Sequence, residues 1–84
     1  MKEKYIILSL LDKLGYVSVE EEYQTYINNN ILYKFLFHHQ YKERIRYVLV
    51  KTEHSKKTYQ IDDYIKKLNN KLRLLKIKKL INNV

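Results

Sequence analysis

Residues 44–52 alternate, with Ile45, Tyr47 and Leu49 on one side and Arg46, Val48 and Val50 on the other. A period of two marks a β-strand, whose successive side chains point to opposite faces. The polar stretch Glu53-His54-Ser55-Lys56-Lys57 follows as a loop, and Thr58-Tyr59-Gln60-Ile61 returns as a short strand. Any fold of this chain is therefore built around a β-hairpin with a basic tip. With 84 residues there is room for one domain and one core.

Around the hairpin the pattern changes to a helical one. In residues 4–14, Ile7, Leu10, Leu11 and Leu14 follow the i, i+3, i+4, i+7 spacing of an apolar stripe. Gly15, the only glycine, stands where a left-handed C-cap is wanted, so that Tyr16 and Val17 fold back on the last turn. Ser18-Val19-Glu20-Glu21 has the form of a capping box, and the carboxylates of Glu20, Glu21 and Glu22 suit the start of a helix dipole. A second helix is expected there, with Tyr23, Tyr26 and Ile27 continuing the face begun by Val19 and Asn28-Asn29-Asn30 ending it as a turn.

Residues 31–37 are apolar on every side, so periodicity leaves helix and strand both open. Their aromatic content favours a strand; Asn30 would serve as the N-cap of a helix. Asp62 or Asp63 is expected to cap a long C-terminal helix with two apolar stripes. Tyr64, Ile65, Leu68, Leu72 and Leu75 form one, and Leu74, Ile77, Leu80, Ile81 and Val84 form a second, rotated around the axis. The second stripe most simply buries against another copy of the chain, which makes it a candidate dimerisation element. A bend or break near Lys76 is the alternative.

Composition narrows the function classes. The absence of cysteine excludes a disulfide framework, a thiolate zinc site and a cysteine nucleophile. The run Tyr5-Ile6-Ile7-Leu8 is far short of the roughly 18 residues of a membrane span, and Glu3, Lys4, Asp12 and Lys13 spoil a signal peptide. A soluble cytoplasmic protein with no membrane partner is expected. Lys, Asn, Ile, Tyr and Phe supply 41 residues, whereas Gly, Ala, Pro and Arg supply 4, a skew expected of an AT-rich genome such as that of a phage, virus or plasmid.

The net charge of +8 lies entirely in residues 43–84, and residues 64–84 hold seven basic side chains and no acidic one. Codon bias enriches lysine but does not exclude glutamate. The asymmetry therefore argues for a polyanionic partner.

Signals for catalysis are weak. His38 and His39 are adjacent, so on a helix they diverge and on a strand they point to opposite faces; neither arrangement chelates a metal. His54 beside Ser55, Lys56 and Lys57 would suit metal-free RNA cleavage, but no paired base can be located. One glycine cannot build a phosphate loop. No catalytic residue, metal or cofactor is expected. Of nine tyrosines, Tyr47 and Tyr59 on the hairpin are the candidates for stacking on unpaired bases.

The order of elements over residues 4–61 resembles a winged helix-turn-helix domain. Ser18-Val19-Glu20-Glu21 is similar to the capped start of that superfamily's second helix. Asn28-Asn29-Asn30-Ile31-Leu32-Tyr33-Lys34-Phe35-Leu36 is similar to its turn and the start of its recognition helix. Phe35 and Phe37 depart from the pattern, being bulky where recognition helices are polar. With residues 31–38 as a strand, the fold becomes helices packed on a three-stranded antiparallel meander. Either way the class is α+β: one domain over 1–84, a body over 4–61 and a basic C-terminal helix over 62–84.

The resemblance implies a non-enzymatic, dimeric DNA-binding regulator, with duplex DNA favoured over RNA. Lys34, His38, Lys42 and Arg44 would lie along the recognition segment, and Asn29 and Asn30 would touch the backbone at its start. Ser55, Lys56 and Lys57 would form the wing. Lys66, Lys67, Lys71, Arg73 and Lys76 would add a diffuse electrostatic attraction. The alternative, from another class, is a small phage-type inhibitor of a host nucleic-acid-handling or defence protein.

Overall fold

The computed structural model describes residues 2–20, 24–41 and 44–82. Helix α1 (Lys2–Lys13) forms where the apolar stripe places it, burying Ile7, Leu10 and Leu11. Gly15 ends it at φ 90°, in the left-handed region. The Gly15 N–H donates to the Asp12 carbonyl at 3.1 Å and the Tyr16 N–H to the Leu11 carbonyl at 3.0 Å, the paired bonds of a Schellman cap. Tyr16 is thereby turned into the core.

The expected second helix is not there. Residues 17–20 and 25–28 form strands β1 (Val17–Glu20) and β2 (Thr25–Asn28), while Glu21, Glu22 and Tyr23 lie outside the described residues. Two local preferences outweigh the capping box. Val17, Val19, Thr25 and Ile27 are β-branched, which favours strand. Asn29 and Asn30 both take positive φ, 52° and 65°, the geometry of a two-residue hairpin turn that joins antiparallel strands. The Asn run thus turns a hairpin rather than ending a helix.

Residues 31–38 belong to strand β3 (Ile31–Tyr41), so the recognition helix is absent as well. This architecture does not confirm a winged helix. Strand β4 (Arg44–Lys51) and strand β5 (Lys56–Gln60) complete a sheet of order β1-β2-β3-β4-β5 in which every pairing is antiparallel. The meander is five strands long rather than three. Between β4 and β5, the Thr52 N–H donates to the Ser55 carbonyl at 2.8 Å and the Ser55 N–H to Thr52 Oγ1 at 3.1 Å, which closes the turn. Lys56 and Lys57 are therefore strand residues, not tip residues.

Helix α2 (Ile61–Asn82) starts directly after β5, with Asp62 and Asp63 in its first turn. Tyr64 and Leu68 are buried and Leu72 half-buried; residues 73–80 are all exposed. No helix among the described residues is long and apolar enough to cross a membrane.

Both helices pack on one face of the sheet. Phe35, fully buried, sits at the centre with ring centroids 5.7–6.3 Å from Tyr16, Tyr26, Tyr33 and Tyr64. Val48 and Val50 complete that face from β4. The register slips where His38 pairs with Tyr47 but His39 pairs with Ile45, leaving Arg46 as an extra residue. This bulge turns Ile45 into the core, away from the side it was expected to share with Tyr47 and Leu49.

Candidate nucleic-acid interface

Directly paired residues of an antiparallel sheet share a face, so the registers define what the uncovered side carries. Thr25 pairs with Lys34, Lys34 with Lys51, and Lys51 with Lys56. The three lysines form one row across β3, β4 and β5, with neighbouring strands about 4.8 Å apart. Strands β2 to β5 contain no Asp or Glu at all; Glu20, paired with Thr25, is the acidic group at the β1 end of the row. Like charges placed directly opposite each other cost stability. A row of three without an interleaved carboxylate is a packing liability unless an anion lies over it.

Apolar rows flank the lysines. On one side stand Val17, Ile27 and Leu32, which pair in sequence and are 61%, 37% and 44% exposed. On the other, Leu36 pairs with Leu49 and Leu49 with Thr58. Leu49 is buried yet lies outside the core cluster. The next row is His38, Tyr47 and Gln60. The open side is thus a basic row set between hydrocarbon, with one aromatic ring beside it.

The candidate residues fall into separate groups. Lys34, His38 and Lys56 are on the open face. Asn29 and Asn30 form the β2–β3 turn, and Ser55 lies in the β4–β5 turn. Lys57, paired with Val50, points to the helical side, as does Tyr59, paired with Val48. Lys66, Lys67, Lys71, Arg73 and Lys76 lie along α2. Arg44 opens β4 opposite Tyr41, and Lys42 is outside the described residues. The structure brings Lys34 and Lys56 together with Lys51, which sequence reasoning missed. Parity did place Lys51 with Tyr47 and Leu49; the row needed the register with β3.

The two candidate stacking rings separate. Tyr47 stays on the open face, whereas Tyr59 packs on Tyr64 with centroids 4.9 Å apart and receives a hydrogen bond from Lys67 Nζ at 3.1 Å. Of the dimerisation stripe, Leu74, Ile77 and Leu80 are exposed on α2; Ile81 is within the helix and Val84 lies outside the described residues.

Chemistry-bearing groups do not gather. His54 Nε2 is 3.8 Å from the Glu53 carboxylate at a wholly exposed tip, where such a pair contributes little. No group of three or more His, Asp or Glu among the described residues is placed to hold a metal ion. Comparison with known proteins finds no matching family model, no matching curated protein and no matching solved structure.

Proposed function

We propose that this protein is a non-enzymatic nucleic-acid-binding protein whose contact surface is the open face of the sheet. The observation that carries this reading is the row Lys34, Lys51 and Lys56, three cations held opposite one another with no carboxylate between them. A phosphate backbone laid across the strands neutralises the row and relieves its repulsion. The flanking hydrocarbon and Tyr47 suit the faces of unpaired bases, whereas the outer surface of a duplex offers sugar and phosphate. The duplex preference expected of a recognition helix loses its support with that helix, and single strands are the favoured ligand.

The exposed stripe Leu74, Ile77 and Leu80 is the surface we assign to self-association. Its surroundings are basic, so two copies repel, and dimerisation should strengthen as salt rises. Nucleic-acid binding should weaken over the same range. The opposite signs keep the two events separable.

The test is an affinity panel of single-stranded DNA, duplex DNA and RNA at several salt concentrations. Single strands should bind tightest, with a slope of log K against log salt of about −2 from the three lysines alone, steeper if α2 takes part. No binding at low salt, or a flat slope, would exclude this reading in favour of a protein partner, the inhibitor class.

A further inference from the structure

On the opposite side of β5 from the lysine row, the sheet and α2 enclose a cleft of about 180 Å³. Lys57 from β5 and Lys67 and Lys71 from α2 line it, and no acidic residue does. Tyr16, Tyr33 and Tyr64 close its inner end, and Tyr16 and Tyr64 are buried. A space of that size holds a compact group and not a run of nucleotides.

The polar groups at the wall are prepared to donate. Lys67 Nζ hydrogen-bonds to the Tyr59 hydroxyl and sits 4.7 Å from the centre of that ring. Having accepted that bond, the Tyr59 hydroxyl keeps its own proton for a further acceptor. Burial pushes the Tyr16 phenol up to about 12 and raises Tyr64 as well, so these two buried phenols stay neutral and do not repel an anion. Three cations, a phenolic donor and no carboxylate in the lining describe a receptor for a compact, multiply charged anion.

The position identifies which anion. β5 is an edge strand, and its consecutive residues Lys56 and Lys57 face opposite sides of the sheet. A strand crossing Lys34, Lys51 and Lys56 therefore reaches the edge of the sheet where Lys57 begins the cleft. We propose that the cleft takes the terminal phosphate monoester of a nucleic-acid strand whose body lies on the open face. This rests on the nucleic-acid reading above. A monoester carries up to two charges where an internal phosphodiester carries one, which suits a small site lined by three lysines.

The experiment compares one single-stranded oligonucleotide in three forms, 5′-phosphorylated, 3′-phosphorylated and unphosphorylated, by fluorescence anisotropy, with inorganic phosphate as competitor. One phosphorylated form should bind roughly tenfold tighter than the unphosphorylated one, the equivalent of one charge-assisted contact. Millimolar inorganic phosphate at constant ionic strength should remove that advantage and leave the unphosphorylated form unaffected. The exposed changes Lys67→Gln and Lys71→Gln should also remove that advantage, lowering affinity for the phosphorylated form by more than for the unphosphorylated one. Equal binding of all three forms would overturn the terminal-phosphate site while leaving the open-face reading intact. Binding of none would overturn both. Inorganic phosphate that shifts the cleft resonances without discriminating between the oligonucleotides would reduce the site to one for free phosphate.

Discussion

The same strands present two unlike faces. Toward the helices, Tyr33, Phe35 and Phe37 alternate with Lys34 and Leu36, which look the other way. The inner face interlocks rings edge to face around Phe35 and buries Val48 and Val50. The outer face leaves Val17, Ile27, Leu32 and Leu36 in contact with water and sets Lys34, Lys51 and Lys56 against each other. One face carries the packed core, and the other sets like charges opposite one another, an arrangement that costs stability. An anion laid across the lysines would relieve that cost.

That contrast is most sharply broken by truncating neighbours in β3. Phe35→Ala should cost about 3–5 kcal/mol, since a fully buried ring leaves a cavity at the centre of the core. Leu36→Ala, one residue away on the open face, should cost about 1 kcal/mol or less. Denaturant titration of both variants checks the pair; similar losses would mean that the open face is also a core.

Alkaline titration is expected to separate the faces next. Tyr16 is raised to about 12 in the folded protein from about 10 unfolded, chiefly by burial, and Tyr64 is raised by the same cause. The folded state then holds these protons more tightly than the unfolded chain. The contribution is complete below pH 10 and is lost as pH rises from 10 through 12. Thermal melting between pH 8 and 12 should show this decline. Tyr16→Phe, which keeps the ring and has no proton to lose, should shrink it.

The smallest effect is the most telling in sign. Replacing Lys51 by Thr, which suits a strand, should raise stability by about 0.2–1 kcal/mol, because it removes the charge between Lys34 and Lys56. The same variant should lower affinity for a single strand and flatten its salt slope by about 0.7. A loss of stability would show that the lysines do not strain the free sheet.

Much of the fold was legible because its signals were local. The stripe of Ile7, Leu10, Leu11 and Leu14 and the single Gly15 specify α1 and its cap without reference to anything distant. Alternation specified β4, apart from the bulge at Arg46, which depends on how β3 pairs. Residues 17–28 misled because a capping box is a statement about three or four residues, whereas the Asn29-Asn30 turn commits both strands on either side of it. The interface was harder to read. Lys34, Lys51 and Lys56 are 17 and 5 residues apart, and only the register of β3, β4 and β5 puts them in one row. Charge asymmetry pointed to α2, where the lysines are most numerous, while the sheet aligns three of them in one row.

The body of a bound strand is expected on the open face of the sheet and not along the distal half of α2. Methyl NMR during titration with a single-stranded oligonucleotide tests it directly. Shifts are expected at Ile27, Leu32, Leu36 and Leu49, with Ile7, Leu11 and Val48 unmoved. Shifts confined to Leu74, Ile77 and Leu80 on α2, with the sheet methyls unchanged, would contradict it.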